Sequence, residues 1–413
     1  MTQPSCEMLA GDWTFREADT KTLTHGIHPY PAKMIPQVAS RLINIYGNSG
    51  GVIFDPYCGS GTTLLEAMLA GMNAIGTDLN PLARLISRVK THPISISLLD
   101  EEISRFPKSI PDKNCPLPYV TNINYWFAKQ VQSDLAAIRK YIDAIEKPTI
   151  ADVFRVAFSI AVRKSSWVRQ GEFKLYRMSD KQIKAHKAEP FALMLDALID
   201  IRQRLFSLKN IVSTPRLPPA IHGFNTVDGI PKCAVVPCSV DLVVTSPPYG
   251  DSRTTVAYGQ FSRLSAEWLG FPDASRMDNL LMGGGKVAKV QSFDVPTLDA
   301  VIAGISGVHR DRAREVAAFF ADYRASIGNV AALVKNGGYI CYVVADRTVK
   351  GSKIPMADTT AAFFAEQGFK SIAVPTRTIP NKRMPSLNSP TNVSGKIGKT
   401  ITVEKIVICQ KVT

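Results

Sequence analysis

Long apolar runs, paired cysteines and an excess of acidic charge are all missing from this sequence. No uncharged apolar stretch comes near the ~18 residues that a membrane-crossing helix needs, so no span is expected. Between Met1 and Asp12 no basic patch precedes an apolar one, so no secretory leader is expected either. The seven cysteines (Cys6, Cys58, Cys115, Cys233, Cys238, Cys341 and Cys409) stand at irregular spacings without a Cys-x-x-Cys pair. They build no disulfide framework, and a reducing cytoplasm is the natural setting. Charged residues are 20% of the 413, while hydrophobic ones reach 45%, which excludes a disordered or collagen-like chain. That length suffices for one large domain or two to three ordinary ones. Acid is the scarce charge: 49 Lys and Arg against 35 Asp and Glu leave a formal charge of +14. A polyanionic partner is favoured.

Internal repeats are absent too, so the order of elements carries the fold. Val52-Ile53-Phe54 reads as a short strand that Cys58-Gly59-Ser60-Gly61 cannot continue. Thr62 to Leu69 places Leu64, Leu65, Met68 and Leu69 at helical spacing, with Gly71 as its stop, and Asn73 to Thr77 is a second strand ending at Asp78. A parallel βαβ unit is predicted, its first loop at the carboxyl end of its first strand. From about His92 to Pro219 the text turns helical, over Trp126 to Ala144, Asp152 to Trp167 and Phe191 to Leu208. Strand character returns at Val240 to Thr245. Val316 to Val334 reads as a helix, Asn336-Gly337-Gly338 as a turn, Tyr339 to Val344 as a buried strand and Met356 to Glu366 as a helix. Ser371 to Ile379 and Thr400 to Cys409 suit an antiparallel pair at a sheet edge.

Two motifs carry chemistry. In Phe54-Asp55-Pro56-Tyr57-Cys58-Gly59-Ser60-Gly61-Thr62-Thr63, glycines at a strand's end let the backbone approach a ligand, and the next helix offers free N–H groups. Asp55 ahead of the glycines argues against a pyrophosphate and for a cationic group, and neither a P-loop lysine nor a GxGxxG spacing is present. Asp78 could accept hydrogen bonds from a ribose. A cationic methionine group plus a ribose describes S-adenosylmethionine. The second motif is Thr245-Ser246-Pro247-Pro248-Tyr249-Gly250, where two prolines stiffen the loop and remove two backbone donors. Stiff acceptors suit the grip of an exocyclic amino group, by Ser246 and the Pro247 carbonyl, while Tyr249 stacks on the base.

With both motifs present the chain resembles the amino-methylating, S-adenosylmethionine-dependent DNA methyltransferases, over Thr24 to Ala83 and Val240 onward. The resemblance implies a cofactor site of Asp55, Pro56, Tyr57, Cys58, Gly59, Ser60, Gly61, Thr62 and Thr63, with Asp78, Leu79 and Asn80 after the second strand. It makes Ser246, Pro247, Pro248 and Tyr249 the catalytic loop. His25-Gly26-Ile27-His28-Pro29-Tyr30-Pro31-Ala32-Lys33-Met34 is similar to the family's helix-entry motif, which adds His28, Pro29, Tyr30, Pro31 and Lys33 over the methionine part of the cofactor; Met34 stands where the family often has an aromatic. His25 and His28, three apart, lack a further Cys/His partner nearby, so no metal is expected. Motif order resembles the α-type permutation.

The implied fold is α/β: a Rossmann-like methyltransferase sheet, mostly parallel with an antiparallel C-terminal edge hairpin, plus a mostly helical insertion. Residues 1–93 and 213–413 would form the catalytic core and residues 94–212 the DNA target-recognition insertion. Ser at 246 resembles cytosine-N4 enzymes more than adenine-N6 ones. The expected function is therefore site-specific methylation of cytosine N4 in double-stranded DNA by base flipping, with adenine N6 and RNA guanine N2 as alternatives. Methylation at cytosine C5 would need a Pro-Cys dipeptide after the catalytic strand, and Pro237-Cys238 precedes it. The resemblance also implies a restriction–modification setting, with a cognate restriction endonuclease as partner, in the prokaryotic cytoplasm at the nucleoid. Arg163 to Lys187 carries eight Lys and Arg against two acidic residues, with Trp167, Phe173 and Tyr176 interleaved. From it Arg163, Lys164, Arg169, Lys174 and Arg177 are candidate phosphate contacts. Arg253 joins them, with Lys382 and Arg383 of the basic Arg377 to Lys411 stretch. The His309, Arg310, Arg312 and Arg314 cluster reads instead as a solvated helix start.

Overall fold

The computed structural model describes residues 11–107, 115–212, 217–249, 257–284, 287, 289–380, 387–388, 398–399 and 401–412. Its main sheet holds β1 (Val52–Asp55), β2 (Asn73–Thr77), β3 (Ala220–His222), β4 (Val240–Thr245), β5 (Val334–Val344), β6 (Phe369–Ala373), β7 (Thr376–Thr378) and β8 (Val403–Lys411). The order across the sheet is β3-β2-β1-β4-β5-β8-β6, with β7 also on β8. The first five run parallel, and Ile53 of β1 lies opposite Ala74 on one side and Leu242 on the other. β8 is antiparallel to β5, β6 and β7, so the predicted C-terminal pair forms at the sheet's end.

Helices of eight residues or more are α1 (Pro36–Tyr46), α2 (Thr62–Leu69), α3 (Pro81–Thr91), α4 (Ile96–Arg105), α5 (Lys129–Asp143), α6 (Pro148–Ser165), α7 (Pro190–Ile211), α8 (Tyr258–Trp268), α9 (Pro296–Val308), α10 (Arg310–Ala331) and α11 (Met356–Ala365). Proline opens α1, α3, α6, α7 and α9, where its missing N–H has no helical partner to lose. Alternation along the strands divides the sheet's two faces. Phe54, Val243, Ile340 and Val407 pack against Phe319, Phe320 and Phe363 on α10 and α11, while Ile53, Leu242, Val244 and Ile406 pack against α1 and α2.

The helical stretch α4 to α7 lies between β2 and β3 in the chain. α6 is buried at Ile150, Val153, Phe154, Ala157, Phe158, Ala161 and Val162, and a helix apolar on more than one face has to be enclosed. Its core is continuous with Leu82, Ile86 and Val89 of α3 and with Phe261, Leu264 and Trp268 of α8. Packing therefore joins these helices to α3, which follows Asp78, and to α8, the helix that comes after the Ser246-Pro247-Pro248-Tyr249 stretch in the chain.

α10 starts at Arg310, at the helix start read from the His309 to Arg314 cluster, and His309 caps it by accepting from the Arg312 N–H. Two local expectations are corrected: α10 ends at Ala331 and not at Val334, which already belongs to β5. Asn336-Gly337-Gly338 is not a turn between elements but an irregularity within β5: β4 pairs with Val334 and then with Tyr339, and Gly337 takes φ +80°. Among the described residues, no helix is long and apolar enough to cross a membrane.

Candidate active site

β1 has β2 on one side and β4 on the other, so the chain leaves their carboxyl ends in opposite directions and a crevice opens there. The resulting cleft holds about 990 Å³ of space between atoms, with the solvent in its open mouth included. Of the predicted cofactor residues, Tyr30, Pro31, Lys33, Asp55, Pro56, Tyr57, Cys58, Gly59, Ser60, Thr62, Thr63, Asp78, Leu79 and Asn80 line it. Ser246 and Pro248 of the second motif line the same cleft, whereas Pro247 and Tyr249 are not in its wall.

The two motifs meet at a hydrogen bond. Thr245, the last residue of β4, donates its hydroxyl to Asp55 Oδ1 at 2.6 Å, across 190 residues of sequence. The Tyr57 N–H donates to the same oxygen at 3.1 Å. Burial outweighs these bonds and pushes the Asp55 carboxyl up to about 6. Asp78 accepts from the Gly59 N–H at 3.0 Å and the Asn80 N–H at 2.8 Å, so it closes the glycine loop onto the end of β2. Burial raises its carboxyl as well, against those two N–H groups and Arg84. Asn80 in turn donates to Ser262 Oγ at 2.7 Å and Tyr30 Oη at 3.2 Å, and the Tyr30 ring stacks on Tyr258.

Glycine is needed in the loop for two reasons. Gly59 (φ +49°) and Gly61 (φ +79°) both take left-handed backbone, and a Cβ on Gly61 would stand 2.2 Å from Ser87 Oγ. Thus Gly61 does not line the cleft; it starts α2 and lets that helix close on α3. Nothing but the Tyr57 carbonyl, at 4.0 Å, faces a Cβ at Gly59, so the loop's other side is open. Ser60 is buried in the cleft wall with no hydrogen-bond partner for its hydroxyl among the described residues. Two carboxylates, an orphan hydroxyl and an open glycine face suit a ligand with a cationic centre and hydroxyl groups.

From the His25–Met34 stretch, the five residues Tyr30 to Met34 line the cleft. His28 is buried and shares a 3.0 Å hydrogen bond with Ser159 Oγ on α6; Pro29 is exposed, and neither lines the cleft. His25 bonds Glu66 at 2.8 Å, and burial holds its imidazole down at about 4. Lys33 Nζ donates to the carbonyls of His25 and His28 at 3.0 and 3.1 Å, and burial lowers it to about 8. Cys58 is buried in the wall with its thiol pushed well above the usual range, which suits a small packing residue and not a nucleophile.

Several wall residues carry no signal in the sequence: Phe224, Asn225 and Thr226 after β3, and Tyr258, Leu281 and Met282. Only the three residues Ala220–His222 of β3 precede the first group, too few for any period to show. Thr245 opens the second motif in the sequence, but its bond to Asp55 is visible only in the fold.

The basic candidates separate by burial. Lys164 and Arg169 are exposed, and Lys174 and Arg177 are half-buried. Arg177 stacks on Tyr125 and Trp167, at 4.5 and 5.2 Å, and donates to the Tyr125 carbonyl. Arg163 does not reach the surface. It is 8% exposed, lies over the Phe261 ring at 4.3 Å and donates to the carbonyls of Phe261 and Glu172, so it is corrected from phosphate binding to core. Arg253, Lys382 and Arg383 lie outside the described residues.

A family model described as DNA methylase matches residues 7–87. The Type II methyltransferase M.MvaI of Kocuria varians is 36% identical over 425 residues, covering 95% of this chain and 92% of its own length. M.BsoBI of Geobacillus stearothermophilus is 24% identical over 56% of this chain and 50% of its own length. A tRNA (guanine(10)-N2)-dimethyltransferase of Methanothermobacter thermautotrophicus is 32% identical over 77 residues, 18% of this chain and 22% of its own. The chain therefore belongs to the Type II DNA methyltransferases of the N6/N4 amino-methylating family, which take their methyl group from S-adenosylmethionine.

Proposed function

We propose that this enzyme methylates the exocyclic N4 of cytosine in duplex DNA, with the target base flipped into the cleft. The observation that carries the reading is the opening of Ser246 and Pro248 onto the cleft lined by Asp55, Ser60 and Asp78. S-adenosylmethionine, when bound, supplies a sulfonium methyl: the N–CH₃ bond forms as the S–CH₃ bond breaks, the bonding pair stays on a neutral sulfide, and the nitrogen releases a proton to water. Asp78 would hold the ribose hydroxyls, and Asp55 would face the cationic methionine part. Cytosine N4 is a poor nucleophile because its lone pair is delocalised into the ring. Acceptance of its N–H bonds by Ser246 and the Pro247 carbonyl would draw it towards sp³ geometry. Alignment then matters more than base strength. Serine rather than aspartate at 246 supports cytosine over adenine. Nucleoside mass spectrometry of DNA from a host expressing the chain tests this. N4-methylcytosine is the expected product, and N6-methyladenine would replace cytosine by adenine as target.

Cofactor affinity is expected to fall in acid. A cation beside Asp55 favours its ionised form, so below about pH 6 binding must expel a proton. From this group alone, the association constant should drop about tenfold between pH 7 and pH 5. Calorimetry in buffers of different ionisation enthalpy reads both the drop and the proton released; a flat profile would remove Asp55 from contact with the cation.

The α4 to α7 helices are proposed as the target-recognition part, with Lys164 and Arg169 on the DNA backbone. Neutralising both (Lys164→Gln with Arg169→Gln) is expected to weaken cognate and random duplexes by similar factors. The log–log salt slope should become shallower by about 0.9 for each phosphate that is no longer neutralised. Fluorescence anisotropy at several salt concentrations measures this, and unchanged slopes would make the stretch a solvated face. In a restriction–modification pair, the partner would be an endonuclease reading the same sequence.

A further inference from the structure

The proton inventory of the catalytic loop reaches further than its wall position. Tyr249 Oη lies 3.0 Å from Ser246 Oγ and 3.0 Å from Glu404 Oε1. Glu404 sits at the start of β8, and its other oxygen pairs with Arg377 of β7. Arg377 is 5% exposed and also donates to the Trp13 carbonyl at 3.1 Å, so this pair is anchored inside the protein. Paired to a guanidinium, the carboxylate can only accept, and a phenol has one proton to give. The Tyr249 proton therefore points to Glu404. Burial, and then Glu404 itself, push the phenol well above its ordinary range, so that proton stays. Between Ser246 and Tyr249, serine must then be the donor. With its single proton turned to Tyr249, Ser246 presents only lone pairs to the cleft.

We propose that Tyr249 and Glu404 are positioning residues that hold Ser246 as an obligate hydrogen-bond acceptor for the target's amino group. The proposal rests on the amino-methylation reading above and deepens it. Each donor in the chain from base N–H to Ser246, Tyr249 and Glu404 is polarised by the next, which makes Ser246 a stronger acceptor than a free hydroxyl. The same arrangement is a selection rule. Cytosine presents an N4 amino donor where thymine presents an O4 acceptor, and a lone pair facing a lone pair is repelled. A freely turning serine would accept both bases; this one is held to the amino base.

Tyr249→Phe tests the relay because it keeps the ring and leaves the Arg377–Glu404 pair intact. Its single-turnover methyl transfer should fall about tenfold, with S-adenosylmethionine affinity within about twofold of wild type. Glu404→Gln should fall similarly if it folds, as checked by thermal melting. The decisive measurement repeats Tyr249→Phe in a Ser246→Ala background. No further loss is expected there, since the phenol acts only through the serine. A wild-type rate for Tyr249→Phe, or a full second loss in the Ser246→Ala background, would overturn the relay while leaving amino methylation standing. Absence of any methylated amino base from the wild-type enzyme would instead remove the functional reading, and the relay with it.

Discussion

Replacing Ser246 by alanine is expected to slow methyl transfer by about two orders of magnitude while cofactor affinity stays within about twofold. That magnitude follows from the loss of one preorganised hydrogen-bonding partner whose interaction strengthens as charge develops, an effect worth about 10²–10³ in comparable sites. Ser246 is the first residue beyond β4, one position after Thr245, whose hydroxyl fixes the strand end to Asp55 at 2.6 Å. Two prolines follow it, so the serine sits between a bonded strand end and a stiff loop and little can move to replace it. With the base, and not the cofactor, as its proposed partner, the two readouts should separate. Single-turnover rates on a cognate duplex and calorimetry with S-adenosylmethionine check them together. A Ser246→Ala enzyme at wild-type rate would leave the Pro247 carbonyl as the sole amino acceptor.

Asp78→Ala is expected to do the reverse. Affinity for S-adenosylmethionine should drop roughly ten- to hundredfold, from the loss of hydrogen bonds to a charged group worth about 1.5–3 kcal/mol. The rate at saturating cofactor should change far less. Asp78 terminates β2 and accepts the Gly59 and Asn80 N–H groups on its two oxygens, which leaves each oxygen a lone pair for a ribose hydroxyl. Removing it also frees the Gly59 loop, so thermal melting should accompany the calorimetry. Asp78→Asn, with a single acceptor oxygen, should lie between wild type and alanine. Unchanged affinity in a folded Asp78→Ala protein would take the residue out of the site.

Legibility along the chain follows the range of the interactions. β1, α2 and β2 are readable because glycines, short β-rich runs and helical spacing are written within about 30 residues, and the same local grammar marks β4 and its Pro-Pro loop. Arg163 is misleading in the sequence because its place in a basic stretch says nothing of the Phe261 ring beneath it, which arrives on α8 from 98 residues away. Phe224 and Tyr258 enter the wall through a loop and a helix start that no period announces. Tyr249 can be named from its motif, but Glu404 cannot be assigned to it, because the two are 155 residues apart and meet only where β8 returns beside β5.

By itself, then, the sequence determined the class of fold, the two motifs and the cofactor chemistry, since glycine, proline and acidic residues at strand ends impose their conformations and charges locally. The tertiary structure alone decided that both motifs open onto one cleft, that α4 to α7 share a core with α3 and α8, and that Ser246, Tyr249 and Glu404 meet in one line of hydrogen bonds. Those are consequences of strand order and of long-range burial. Pairing β1 with β4, and β5 with β8, brings together groups whose sequence separation carries no signal, and only there does each group acquire its hydrogen-bond partner.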